Sequence, residues 1–359
     1  MDWDDPLRHL APISGHPAKK STVLSSELST ISDQELASLK VNVKLDRFGL
    51  ASARHNRAAC ILGSFFQFLE DDGRKILAAE ILAWIDTEDN LFELANHLVA
   101  AILLPFKASG GKAPPPISRP SIFANEDDEI EQTVASIEPS RRDQTTLKRQ
   151  CLRREGYQCI YTGYFDRRSV RNQEVTLPQK AKCGTTICAH IIPFALGNFH
   201  EKDSLETENK ALIWWTLYRY FPVLQGKIDA ASINQLGNVV TLHTDVHDTF
   251  GDFELTFWPQ ENAPHSYETT IMVPQFGMES KLGSSLIHLE QHDADIPMPD
   301  PEYFKVHHII SQILEVSGLG REIDKLLEAA AEAAENIDPN GSSDLGLLLS
   351  QRMLIHTWV

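Results

Sequence analysis

The stretch Thr185-Thr186-Ile187-Cys188-Ala189-His190-Ile191-Ile192 constrains this chain more than any other. β-Branched and apolar residues dominate it, and Pro193 stops it, because proline lacks the N–H that a strand ladder needs. It reads as a strand that ends on an imidazole. A second strand, Val239-Val240-Thr241-Leu242, is opened by Asn238. Directly after it, Thr244-Asp245-Val246-His247-Asp248-Thr249-Phe250 reads as a short helix. Thr244 is a good N-cap, and Asp245 suits the positive end of the helix. The pattern is strand, strand, short helix, with His190, Asn238 and His247 aimed one from each.

Upstream lies Gly156-Tyr157-Gln158-Cys159-Ile160-Tyr161-Thr162-Gly163, and the first strand runs on as Ala189-His190-Ile191-Ile192-Pro193-Phe194. Asn238 and His247 are nine residues apart, and Phe250-Gly251 follows His247. Together these blocks resemble the HNH nuclease domain. More narrowly they resemble the fungal HNH-domain proteins that carry GYxCxxTG, CAHIIPF, N-(V/I)-x-T-L and H-x-x-FG. A weaker likeness extends from Cys60 to the C-terminus. The resemblance implies a ββα-metal core and hydrolysis of DNA phosphodiester bonds with Mg²⁺ or Mn²⁺.

That chemistry needs an activated water and a cation for the developing negative charge. In the resemblance His190 is the general base, since a neutral imidazole takes a proton from water near pH 7. His247 is the ligand for the divalent ion. Asn238 either ligates the same ion or orients the loop that holds His190. Two positions depart from the family pattern. The residue before the base, a ligand in many HNH enzymes, is Ala189, and the residue one helical turn beyond His247 is Gly251. His243, Asp245, Asp248 and Asp252 are the nearby substitutes. Mg²⁺ tolerates a thin ligand set because it keeps waters and borrows phosphate oxygens. The alternative is an HNH scaffold repurposed for a small molecule, with His190 as acid/base, or for binding nucleic acid or protein.

A net charge of −17 argues against indiscriminate coating of nucleic acid. The charge is uneven, however. Between Arg141 and Lys182 eleven Lys and Arg meet four Asp and Glu, a net of +7, which leaves −24 for the remainder. This segment supplies the expected contacts to a DNA backbone: Arg149, Arg153, Arg154, Arg167, Arg168 and Arg171. Arg219 adds one from an aromatic-rich helix over Glu208 to Phe221. Core packing is the reading for that helix's own aromatic residues.

The five cysteines, Cys60, Cys151, Cys159, Cys183 and Cys188, fit a reduced, intracellular protein, cytoplasmic or nuclear. Cys159 has no Cys-x-x-Cys partner, so no structural zinc is expected. The N-terminus lacks a basic region followed by an apolar core, and no apolar run approaches the roughly 20 residues of a membrane span.

The expected fold is α+β: a ββα-metal core with extra strands, flanked by N- and C-terminal helices. Residues 1–44 read as a flexible tail with a helix near Ser32 to Leu39, and 45–106 as a helical region. Within that region Asp71-Asp72-Gly73 is expected to break a helix, and Pro105 to end one. Residues 107–140 read as a Pro-rich, acidic linker, 141–300 as the HNH-like domain with an insertion, and 301–359 as a helical region. The last is expected to include a short helix from Asp344 to Leu354.

Overall fold

The computed structural model describes residues 33–84, 87–108, 117, 119–140, 144–272 and 285–335. Most of the expected tail and the helix expected at Asp344 to Leu354 lie outside these residues. Helix α1 (Asp33–Gly49) is longer than the sequence suggests and buries Val41 and Leu45, so residues 33–44 belong to the helical region. Helix α2 (Ala53–Phe68) starts at Ser52, whose side chain accepts from the His55 N–H. The Asp71-Asp72-Gly73 segment opens helix α3 (Asp71–Trp84) instead of breaking a helix. Both carboxylates suit its N-terminal dipole. Gly73 is needed for contact: a Cβ there would lie 1.9 Å from the Tyr220 carbonyl oxygen.

Helix α4 (Glu88–Leu98) passes through a π turn at Val99–Leu103 into α5 (Leu104–Lys107). Pro105 therefore does not stop the helix. It sits in the first turn of the new segment, where a missing N–H costs little. The expected linker also differs from the structure. Ser121–Glu126 is a 3₁₀ turn and Asp127–Ser136 is helix α6, with Phe123 and Ile130 buried. Phe123 packs against Trp84, His97 and Trp215, which gave this acidic stretch an apolar anchor that its composition concealed.

Helix α7 (Gln144–Arg154) leads into a parallel pair, β1 (Phe165–Asp166) and β2 (Cys183–Gly184), with the short helix α8 (Arg167–Arg171) between them. Strand β3 (Thr186–His190) comes next, then helix α9 (Ser204–Tyr220), capped by Asp203. Strand β4 (Val239–His243) pairs antiparallel with β3, and helix α10 (Thr244–Gly251) follows at once. Thr244 is the first helical residue; the cap position belongs to His243, which makes no side-chain cap bond. Strands β5 (Leu255–Pro259), β6 (Ser266–Ile271) and β7 (Leu286–His288) form an antiparallel sheet. Helices α11 (Pro301–Ser317) and α12 (Leu319–Glu335) close the described chain.

One apolar core runs through all of this, from Val41 to Ile323. Trp214, Trp215 and Tyr220 of α9 are buried in it, as expected for that helix. His307 of α11 lies between Phe250 and Phe253, with ring centroids 4.0 and 4.4 Å away. Lys107 forms an ion pair of 2.7 Å with Asp324, tying α5 to α12. A small second cluster of Leu147, Cys151 and Val239 seats α7 on the β3–β4 hairpin. The hairpin is thus held by helices on its flanks, as a two-stranded unit needs.

Candidate active site

Antiparallel register places His190 opposite Val239 and Thr186 opposite His243. His190 thus ends β3 where β4 begins. Helix α10 leaves β4 at the far end and packs back across both strands. This return brings His247 near enough for its charge to act on the His190 ring. Burial holds His190 below the usual histidine pKa, His247 pushes the same way, and a hydrogen bond to Asn234 works against both. The ring is therefore neutral at pH 7, as a base requires.

The His190 Nε2–H donates to Asn234 Oδ1 at 2.8 Å. An amide oxygen only accepts, so Nε2 carries the proton and Nδ1 carries the lone pair. Nδ1 has no partner among the described residues, and it is not one of their buried, unpaired atoms. It is open to a water. The Phe194 ring lies 5.4 Å from the imidazole. The sequence reading missed Asn234. It sits in the turn-rich run Asp229-Ala230-Ala231-Ser232-Ile233-Asn234, where neither strand nor helix period marks it. Its place four residues before Asn238 is the one available signal.

Asn238 is fully buried. Its Oδ1 accepts from the Ile192 N–H at 2.8 Å, and its Nδ2 donates to the carbonyls of Ile192 and Ile233, both at 2.9 Å. Its Oδ1 and both Nδ2 hydrogens are thus engaged with backbone. Of the two roles left open by the sequence, orienting the loop beyond His190 is the one its geometry supports.

His247 is half-buried, and its Nδ1–H donates to Asp248 Oδ1 at 3.2 Å. That bond leaves the Nε2 lone pair for a metal, the carboxylate–imidazole arrangement that raises ligand basicity. Ala189 is buried with only a methyl group, and no group of three metal-ligating side chains occurs among the described residues. At Gly251 an added Cβ would meet nothing within 4 Å, so that position is open space. The residues present fit a divalent ion held by one imidazole, with water and phosphate oxygens completing its shell.

The expected DNA-contacting arginines divide into two groups. Arg154 is fully buried and donates to the carbonyls of Leu236, Val239 and Pro297, and to Glu155. It is a structural residue of the hairpin. Arg219 is held by Glu80 and Glu126 and lies over the Phe123 and Trp215 rings, so it too is committed to the fold. Arg153 is half-exposed and paired with Asp293. Arg149, Arg167, Arg168 and Arg171 are exposed and have no side-chain partner among the described residues. Their elements meet at Thr186, which receives a bond from Lys148 on α7 and donates one to Asp166, the cap of α8. Thr186 is the first residue of β3, about 13 Å along the strand from His190 at its other end.

The order is strand, clamped asparagine, strand, helix, with His247 close enough to His190 for its charge to act on that ring. Residues 159–257 match the family model of the HNH endonuclease. The matched HNH segment covers well under half of the chain and includes every element that carries His190, Asn238 and His247. No curated protein and no solved structure matched. The match supports a nuclease-type function in general, and families of this kind use divalent metals and nucleic-acid substrates. Outside the HNH segment, no described helix is long and apolar enough to cross a membrane.

Proposed function

We propose that the HNH segment hydrolyses DNA phosphodiester bonds, with His190 as the general base. The observation that carries this reading is the bond from His190 Nε2–H to Asn234, which leaves Nδ1 as the basic atom of the ring. Nδ1 takes the proton of a water as that water's oxygen bonds to phosphorus and the bond from phosphorus to the leaving sugar oxygen breaks, that oxygen taking a proton from solvent. The resulting imidazolium keeps its Nε2–H on Asn234, so the ring need not turn. Asn238 holds the chain on either side of the reaction centre through Ile192 and Ile233. A divalent cation bound at His247 Nε2, Mg²⁺ or Mn²⁺, would neutralise charge building on the phosphate.

Arg149, Arg167, Arg168 and Arg171 give the backbone of the same strand a second hold. A cytoplasmic or nuclear site of action is part of this reading.

The observations at Ala189, Gly251 and Asn238 favour one second reading: a scaffold that binds nucleic acid without cutting it. Supercoiled plasmid incubated with Mg²⁺ or Mn²⁺ separates the two. The hydrolase reading expects nicking by the wild type that is lost in His190→Ala and His247→Ala, with Mn²⁺ affinity reduced only in the latter. Retarded plasmid with no nicking by any of the three would move the assignment to the binding scaffold.

A further inference from the structure

We infer that Asn234 is the positioning residue for the His190 imidazole, and that Asn238 serves the reaction by fixing Asn234 as well as the loop after His190. The inference rests on the hydrolase reading for its consequence in turnover, and on geometry for the contact itself. Asn238 Nδ2 binds the Ile233 carbonyl, one residue before Asn234, and the Ile192 carbonyl, two residues after His190. One buried amide therefore sets the spacing of the two groups that meet at 2.8 Å.

The segment that presents Asn234 is built to hold still. Asp229 Oδ1 accepts from the Ser232 N–H at 2.8 Å and from Ser232 Oγ at 2.6 Å. The Ile233 side chain is fully buried. Gln235 donates through Nε2 to the Lys227 carbonyl and to the Tyr303 hydroxyl, which anchors the segment to α11. At the inner side, Gly197 admits the segment: a Cβ there would lie 2.4 Å from the Ala230 carbonyl oxygen. Asn234 thus meets His190 from a preformed loop and selects the tautomer with the lone pair on Nδ1. A water or a backbone carbonyl could accept the same proton, but neither would be placed by the residue that also places the strand end.

The test uses the full-length chain, uniformly labelled with ¹⁵N, as wild type, Asn234→Ala and Asn234→Asp. In the wild type the His190 Nε2–H is expected as a slowly exchanging imidazole resonance coupled to a single tautomer. Asn234→Asp keeps an acceptor oxygen and should keep that resonance. Asn234→Ala should lose it, with unchanged far-ultraviolet circular dichroism, and its kcat on plasmid should fall about 10- to 100-fold while KM stays put. A resonance that persists in Asn234→Ala overturns the inference. The resonance is read without turnover, so a chain that cuts no DNA would sink the hydrolase reading while the spectra still decide the contact.

Discussion

The Arg154 guanidinium lies 2.6 Å from the carbonyl oxygen of Val239, the residue that faces His190 across the hairpin. A fully buried cation therefore supports the strand opposite the base, and it does so from a position that the sequence reads as a phosphate contact. Replacing it strands Glu155, itself buried, and takes a donor from the carbonyls of Leu236, Val239 and Pro297. Arg154→Met should cost about 3–5 kcal/mol of stability in urea unfolding. Arg154→Met/Glu155→Leu should recover part of that loss, because the isolated buried charge is gone. A single variant as stable as the wild type would count against this account.

The four exposed arginines make a different prediction. Arg149, Arg167, Arg168 and Arg171 should each contribute about 0.9 to the slope of log affinity against log salt, if each sits on a phosphate. The quadruple alanine variant should bind duplex DNA with a visibly shallower slope and unchanged thermal stability. Arg219→Lys, by contrast, should leave the slope where it is, since Arg219 faces Glu80 and Glu126. Equal slopes in wild type and quadruple variant would remove these residues from the interface.

Gly251 offers a gain of function. Its Cβ direction is open, and it stands one helical turn beyond His247. Gly251→His should put a second imidazole beside the first and tighten Mn²⁺ binding about tenfold or more, the equivalent of about 1.4 kcal/mol. Calorimetric titration of wild type, Gly251→His and Gly251→His/His247→Ala measures it. Affinity that stays at the wild-type level would show that His247 Nε2 does not face a cation.

Stability should fall steeply in mild acid. Burial lowers the pKa of His97 to about 3, helped by Arg219. Burial also lowers His307 to about 3, although its bond to the Phe250 carbonyl opposes this. Below the unfolded value of 6.5 the unfolded chain takes up protons at both rings that the folded chain refuses. The stability these neutral rings provide is therefore intact above pH 6.5 and is lost as pH falls from 6.5 toward 3. Each ring contributes a slope of about 1.4 kcal/mol per pH unit in that window. His307→Phe keeps the stack with Phe250 and Phe253, and should unfold in urea with a shallower pH slope by that amount. The same slope as wild type would assign the acid sensitivity elsewhere.

Much of the site was legible because strand and helix periods are local. His190 and His247 were placed on the right elements by β-branched runs, a proline stop and an acidic helix start. Asn238 was legible as to position and ambiguous as to role, since an amide that clamps backbone and an amide that binds a metal look the same in sequence. Arg154 and Arg219 misled for a related reason: a basic residue near a basic motif carries no mark of burial. The acidic segment around Glu126 read as a linker because its anchor, Phe123, finds its partners on three distant helical stretches. Asn234 was invisible because loop geometry, not periodicity, brings it to the ring.

The position of His307 between Phe250 and Phe253 has a consequence for transplanting the motif. Cutting the chain at 141 and 300 would keep every residue of the HNH segment but remove α11, and with it the ring that backs α10 and the Phe304 ring beside Phe257 and Tyr267. The excised piece would present those aromatic faces to water. Grafted into another protein, it would carry two histidines with no wall behind the helix that bears one of them. The smallest portable unit that keeps His247 in place must therefore include the C-terminal helix from Pro301 to Ser317.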